Sequence, residues 1–202
     1  MHNLQQSTSG KDNYELRALQ PLHLERVANY FGLSVCSGTR VTAPLHDPAG
    51  KVLGCTCVDS NKLVNPKMPA ALKEQLGFYN LHRLNRNTRV LQIVPYVQLV
   101  WVLASRYPRD PGLACGSAIA TVSEHCSESQ LKLLGTNDTL RRAKLLQVLV
   151  PRNVWGDQLA ARLFLHFGSS RVVQYVPFSN SSDLLNDPKT DELLSAAEMF
   201  LD

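Results

Sequence analysis

The sequence predicts a mainly β protein with a β-sandwich or jelly-roll-like core and two or three peripheral helices. Two observations lead to this fold class. Most apolar residues fall in short runs separated by Gly, Pro, Asn and Asp, a spacing typical of strands and turns. The run 97–103 also consists mostly of β-branched or large apolar residues, so it is expected to be a central strand buried on both faces.

Two helices are predicted in the first half of the chain. Residues 1–20 are polar and are expected to be flexible. An amphipathic helix is predicted between Pro21, which the first turn of a helix tolerates, and Gly32, which ends it. A second helix is predicted at 69–77, where a proline precedes a run of helix formers and a glycine follows it. We expect both helices to lie at the periphery.

Strands are predicted at 33–42, 51–58, 89–106, 116–124, 143–150 and 171–178. Pro95 is expected to separate two strands within the third of these runs, because proline cannot donate to a central ladder. The run 158–167 fits a helix and a strand equally, since its apolar residues have near-helical spacing but also partly alternate. Residues 21–178 are therefore expected to form a single β-rich domain.

A polar linker and an acidic helix are predicted at residues 179–202. The helix is expected to begin at 190, where a capping hydroxyl is followed by two acids. So short a helix needs a docking surface for its apolar side, either the basic body of the protein or a groove on another subunit, a host protein or a viral protein. Its candidate partner-binding residues are Leu193, Leu194, Phe200 and Leu201.

The cysteine content and the start of the chain favour an intracellular protein. Five scattered cysteines fit reduced thiols better than a disulfide framework. The first residues lack the basic stretch and apolar run of a secretory signal, and no apolar run reaches membrane-spanning length. We therefore expect a protein that is neither secreted nor anchored by a transmembrane segment.

No cofactor, metal or catalytic group is predicted. Two loose groups combine histidine with cysteine, namely His46 with Cys55 and Cys57, and His125 with Cys115 and Cys126. Structural zinc recruits paired ligands two to four residues apart, and neither group has that arrangement. No local signature of a catalytic cysteine accompanies either group. The cysteines are interpreted as small buried hydrophobic residues, and the protein as a binding protein rather than an enzyme.

The charge distribution favours a polyanionic partner. Residues 183–202 hold six acids and one base, so residues 1–182 carry 20 bases, 11 acids and a net charge of +9. Clustered bases bind phosphates by releasing counterions, and arginine beside aromatic residues suits single-stranded nucleic acid. The candidate nucleic-acid-binding residues are Arg83, Arg86, Arg89, Arg106, Arg109, Arg141, Arg142, Lys144 and Arg152. A solvated surface of unrelated charges is the alternative.

The order of apolar runs at 85–178 resembles the thirty-kilodalton superfamily of plant-virus movement proteins, whose β core is similar to the jelly roll of viral coat proteins. The resemblance is carried by the strand-like run 89–106, the strand led by Gly116, and the runs 145–155 and 163–167. This chain has Ser123-Glu124-His125 where the family has an aspartate. The resemblance implies binding of single-stranded RNA and transport through plasmodesmata from the host cytoplasm.

Two other classes of function remain open at this point. A viral structural protein, coat or matrix, would use the same core for self-assembly, and oligomers at near-stoichiometric copy number would favour it. A cysteine-dependent hydrolase would lose its activity on alkylation. A movement-type protein would instead bind short single-stranded RNA without assembling.

Overall fold

The computed structural model of the chain describes residues 21–37, 40–59, 62–105, 117–123 and 125–179. The first half contains helix α1 (Pro21–Phe31), strands β1 (Ser34–Ser37), β2 (Arg40–His46) and β3 (Val52–Asp59), helix α2 (Ala70–Leu76) and a short 3₁₀ helix (Leu81–Arg83). The second half contains β4 (Val90–Val94), α3 (Val97–Ser105), β5 (Ala118–Ala120), α4 (Glu128–Thr136), α5 (Asp138–Arg141), β6 (Leu145–Pro151), α6 (Val154–Phe167) and β7 (Val172–Phe178).

The fold is α/β, and the predicted β-sandwich or jelly roll is wrong. Four strands form a parallel sheet in the order β5-β4-β6-β7, and β1, β2 and β3 form a separate antiparallel sheet. Parallel neighbours need a crossover connection, and helices lie between consecutive strands of the chain: α3 between β4 and β5, α4 and α5 between β5 and β6, and α6 between β6 and β7. A jelly roll would instead require antiparallel strands in two facing sheets.

The parallel sheet carries a hydrophobic cluster on each face. On one face, Val94 and Leu149 join α3, α1 and β2. On the other, Ile93 and Val148 join the helices α4, α5 and α6. Neighbouring residues of one strand thus belong to opposite clusters, as strand geometry requires. A sheet covered on both faces explains why all seven residues of β6 are buried.

Several predicted elements are confirmed. Helices are present at Pro21–Phe31 and Ala70–Leu76, and strands at Leu145–Pro151 and Val172–Phe178. The run 158–167, for which helix and strand were both open, belongs to α6.

The prediction of a central strand at 97–103 is wrong, because this run is the body of α3. Every residue from Val97 to Ala104 is buried. A helix that is covered all round has no polar side to reveal its 3.6-residue period, so its sequence reads like that of a strand buried on both faces. Pro95 does mark a boundary, since β4 ends at Val94 and the helix begins two residues beyond the proline.

A row of three glutamine side chains crosses the parallel sheet. Gln92, Gln147 and Gln174 occupy matched positions on β4, β6 and β7. Gln92 Nε2 donates to Gln147 Oε1 at 3.2 Å, and Gln147 Nε2 donates to Gln174 Oε1 at 2.9 Å. These bonds form only when the three strands are in this register, because a shift of one residue moves each side chain to the other face.

Some predictions fall outside the described residues. They are the flexible segment 1–20 and the C-terminal helix with its partner-binding residues Leu193, Leu194, Phe200 and Leu201. Within the described part of the chain, none of the helices has the length and apolar character needed to cross a bilayer.

Candidate nucleic-acid interface

The connections between the parallel strands change direction between the adjacent strands β4 and β6. From β4 it continues to β5 on one side, and from β6 it continues to β7 on the other. Connections that leave two adjacent strands in opposite directions open a crevice at their carboxyl ends, where open α/β sheets bind ligands. The topology therefore predicts a ligand site among the residues that follow Val94 and Pro151.

A small, shallow and open cleft lies at this point of the sheet. It is lined by Pro95 and Tyr96 after β4, Val150 and Pro151 at the end of β6, and Trp155, Gly156 and Leu159 on α6. Pockets for complete small ligands usually enclose at least roughly 300 Å³. This cleft is far too shallow to enclose a ligand, so a flat ring would rest against its surface and not inside it.

Asn153 and Gly156 set the position of α6 beside the cleft. Asn153 Oδ1 accepts a hydrogen bond from the Gly156 N–H at 2.9 Å and caps the helix. A Cβ atom at Gly156 would lie 2.2 Å from the Pro151 carbonyl oxygen, so only glycine lets the first turn approach β6 this closely. The adjacent residue, Trp155, is consequently held at the mouth of the cleft.

The cleft presents aromatic surface next to an exposed cation. Trp155 is 46% exposed, and its ring meets that of His125 edge to face, with centroids 5.1 Å apart. Tyr96 is half-buried on the opposite wall, and Arg152 is exposed in the turn between β6 and α6. An indole for stacking and a guanidinium for phosphate are the two side chains that single-stranded nucleic acid binders combine.

The backbone is strained at the end of β5, which adjoins β4. Val122 has φ 56°, in the left-handed region that β-branched residues avoid. Its neighbours hold it there, since the Thr121 N–H donates to the Val94 carbonyl at 2.9 Å and Gln130 Nε2 donates to the Thr121 carbonyl at 2.9 Å. Strain of this kind concentrates at functional sites, and here it lies at the same edge of the sheet as the cleft.

The described residues at this edge do not offer a carboxylate cluster for metal ions. The positions directly after the strands hold Pro95 and Tyr96, Thr121 to Ser123, Arg152 and Asn153, and Ser179. Across the described ranges, no group of three or more His, Cys, Asp or Glu side chains is arranged to hold a metal. The nearby carboxylate of Asp157 accepts a hydrogen bond from Tyr175, and burial together with this carboxylate raises the pKa of Tyr175 to about 12.

The structure divides the predicted basic residues between the two ends of the sheet. Lys144 N–H donates to the Arg89 carbonyl at 2.9 Å, directly before β6, and Arg141 and Arg142 end the preceding helix. These four residues form what we call the amino-edge cluster, and Arg86 lies in the exposed turn before it. Arg152 follows β6, a strand about 20 Å long, so it lies at the opposite end.

Arg83 has a structural role that its sequence context does not reveal. Its guanidinium lies 5.0 Å from the ring centre of Tyr30 and 5.3 Å from that of Phe31, which joins the 3₁₀ helix to α1. Arg106 and Arg109 lie outside the described residues.

The interpretation of the cysteines as buried hydrophobic residues is wrong for three of the four that are described. Cys36 is exposed because it lies on β1, whose four residues are all exposed, and Cys55 and Cys57 are exposed and partly exposed at alternate positions of β3. Only Cys126 is buried among these four, and burial raises the pKa of its thiol to about 12, which makes it a poor nucleophile. Cys115 lies outside the described residues.

His46 and His82 form a pair of tilted rings in contact, and this pair is expected to destabilise the protein in acid. Their ring centroids lie 4.1 Å apart. Burial, followed by the charges of His46 and Arg83, lowers the pKa of His82 from 6.5 to about 4. The unfolded chain thus binds a proton between pH 6.5 and 4 that the folded chain does not, so stability is lost as the pH falls through this window. We expect a loss of about 1–2 kcal/mol in the free energy of unfolding after allowance for solvent screening.

The measurement is urea unfolding of the wild type and His82→Gln between pH 7 and 4. The variant should have a flatter pH profile than the wild type. An identical slope in the wild type and His82→Gln would contradict the assignment.

No protein-family model matches the chain, and no curated protein matches it. Among solved structures, the fold is similar to that of a DnaG primase catalytic domain bound to ssDNA, with a TM-score of 0.58 and 16% sequence identity. The similarity covers 91% of this chain and 71% of that one. At this level of identity, the likeness shows the shared α/β fold alone.

Proposed function

We propose that the protein binds single-stranded nucleic acid at the carboxyl end of its parallel sheet. In this proposal Trp155 stacks on a base at the cleft and Arg152 contacts the phosphate backbone. The observation that carries the proposal is the position of the half-exposed indole of Trp155. The close approach of Gly156 to β6 places this indole where the sheet divides, and the exposed Arg152 lies in the turn just before it. The solved structure with a similar fold holds ssDNA, which supports the same class of ligand.

The composition of the cleft favours single strands over duplexes. Bases stack on aromatic side chains only when they are not paired in a helix, and stacking contributes about 1–3 kcal/mol per base. Because the cleft is shallow and open, a base stacked on Trp155 would lie at the surface, with neighbouring nucleotides beside it. Because every base has a flat face, recognition of this kind tolerates sequence.

The proposal is for binding and not for nucleotide polymerisation. Polymerases join nucleotides with two metal ions held by oxygen ligands. The described positions after the four parallel strands offer proline, aromatic, hydroxyl, arginine and asparagine side chains, and none of them is a carboxylate. These residues can hold a strand but do not fit the ligand set of such a metal pair.

Transport of RNA between cells stays a prediction of the resemblance to movement proteins. The parallel sheet removes the jelly-roll core on which that resemblance depended. Binding of single-stranded RNA is compatible with the proposed cleft, so RNA and DNA are compared in the same experiment.

Replacing Trp155 by Ala is expected to weaken binding about 5- to 150-fold, because the loss of one stacked base removes about 1–3 kcal/mol. The measurement is fluorescence anisotropy with labelled oligothymidylate and oligouridylate of about 12 nucleotides, within the usual site size. Arg152→Ala should lower the slope of affinity against salt by about one phosphate contact. Phe164→Ala removes another exposed aromatic residue from α6, outside the cleft lining, and should bind normally.

The amino-edge cluster is the alternative binding surface for the strand. The triple variant with Ala at Arg141, Arg142 and Lys144 is expected to keep the stacking-dependent affinity at high salt. If this variant loses binding while Trp155→Ala retains it, the strand lies at the other end of the sheet and the cleft is not the site. A protein that binds neither oligonucleotide above background would overturn the proposal altogether.

A further inference from the structure

Two cysteines meet on the exposed side of the antiparallel sheet. Cys36 lies on β1 and Cys57 on β3, on either side of β2, and their Sγ atoms are 3.0 Å apart. The pairing of β1 with β2 shifts register between Val35 and Ser37, so Cys36 is the irregular residue of this edge strand. The irregular edge brings its thiol to a residue two strands away.

The two thiols differ in how readily they ionise. Hydrogen bonds from the Thr42 side chain and then from Cys57 lower the pKa of Cys36. The hydrogen bond to Cys36 raises the pKa of Cys57. Cys36 is therefore the more acidic thiol of the pair, and Cys57 is the less acidic one beside it. An exposed thiolate next to a second thiol is the arrangement of cysteines that oxidise reversibly.

We propose that Cys36 and Cys57 are a redox modification site, at which a peroxide converts the two thiols to a disulfide that links β1 to β3. The Cys36 thiolate attacks one peroxide oxygen, the O–O bond breaks, and hydroxide leaves, which gives Cys36 sulfenic acid. Cys57 sulfur then attacks the Cys36 sulfur, an S–S bond forms, and the sulfenic oxygen leaves as water with a proton. The two sulfurs lose two electrons, and one hydrogen peroxide becomes two waters.

Formation of this bond requires the backbone of β1 to move towards β3. The Sγ atoms must approach by about 1 Å to reach the usual disulfide length of about 2.05 Å. Cys36 belongs to a four-residue edge strand whose residues are all exposed, so few packing contacts oppose the shift. The bond would close a loop between residues 21 positions apart and so restrict the unfolded chain.

The consequence is a redox-dependent attachment of the edge strand. In the reduced protein β1 is held by its ladder with β2. In the oxidised protein it is also joined covalently to β3, so the antiparallel sheet should unfold at a higher temperature. This effect does not depend on nucleic-acid binding, since the pair is on the separate antiparallel sheet.

The test treats the full chain with hydrogen peroxide in slight molar excess and maps the thiols by mass spectrometry of a non-reduced digest. We expect a Cys36–Cys57 crosslinked peptide in most molecules, its reversal by dithiothreitol, and an increase of several degrees in the midpoint of thermal unfolding. Cys57→Ser should trap Cys36 as a sulfenic acid that dimedone labels, and Cys36→Ser should leave Cys57 unoxidised.

Cys55→Ser is the matched control, because Cys55 is exposed on the same strand two residues from Cys57. It should form the crosslink as the wild type does. A wild-type digest without the 36–57 crosslink, or one in which Cys55 pairs as often as Cys57, overturns the proposal without recourse to any variant.

Discussion

Replacing Gly156 by Ala is expected to lower the free energy of unfolding by about 2–3 kcal/mol, near the upper end of the usual cost of overpacking. The added Cβ would lie 2.2 Å from the Pro151 carbonyl oxygen and 3.0 Å from Val150 side-chain atoms. Both contacts are with β6, the fully buried strand, so the neighbours cannot move aside without disturbing the sheet. The start of α6 must move instead, and with it the indole of Trp155.

Gly135→Ala gives the control with the opposite sign. Gly135 lies in α4, where the nearest atom to an added Cβ is a Phe167 ring carbon at 4.0 Å. Alanine there should stabilise the helix by about 0.5–1 kcal/mol, because glycine loses more backbone entropy on folding. Urea unfolding of both variants checks the pair. If Gly156→Ala is as stable as the wild type, the helix does not begin against β6 as described.

The sequence was sufficient to predict those helices and strands whose apolar periodicity or boundary residues are distinctive. Pro21 and Gly32 frame α1, and the apolar runs of β6 and β7 are strands. The direction of the strands was not accessible, because a parallel strand covered on both faces has the same apolar run as a strand in the core of a sandwich. The error on α3 followed from the same cause, since a helix buried all round lacks a polar side.

The order of the strands brings the residues of the candidate site together. The distribution of charged residues along the sequence therefore identified Arg152 but not the aromatic residues of the cleft. Arg89, Lys144 and Arg152 were all candidate nucleic-acid-binding residues, but only Arg89 and Lys144 lie together, and Arg152 lies at the other end of β6. Tyr96 and Trp155 were missed, because they lie 59 positions apart in sequence and only the parallel pairing of β4 with β6 brings them to one cleft. One local signal was available: Asn153 is a favourable N-cap, which marks the start of α6 and so places Trp155 in its first turn.

Replacing Gln147 by Glu is expected to lower the free energy of unfolding at neutral pH by about 3–5 kcal/mol, the usual cost of an unpaired buried charge. Gln147 is 0% exposed, and it both accepts from Gln92 and donates to Gln174. A carboxylate in its place keeps the bond from Gln92 but sets an ionised oxygen against the carbonyl oxygen of Gln174. The change removes one hydrogen bond, adds a buried charge, and leaves the shape of the side chain almost unchanged.

The pH dependence separates this explanation from a packing defect. Burial raises the pKa of the new carboxyl above its unfolded value of about 4.3, so the folded variant holds a proton that the unfolded chain has lost. Stability is therefore lowest above the folded pKa and recovers as the pH falls towards the unfolded value. In its neutral form the acid can again donate to Gln174. The difference in unfolding free energy between the variant and the wild type should thus shrink in acid, although the wild type itself weakens there through His82.

Gln174→Glu provides the matched comparison at the end of the same row. Its side chain lies on the edge strand β7 and is partly exposed, so water can solvate the charge and the loss should be about 1 kcal/mol or less. Urea unfolding of both variants at several pH values tests the row as a whole. Equal losses at the two positions, or a Gln147→Glu difference that does not change with pH, would mean that the glutamine row does not cross the sheet in this register. A larger loss at Gln147 that shrinks in acid would show that the central glutamine bonds β4, β6 and β7 in this register. The same register determines where β4 and β6 end, and therefore where the cleft opens.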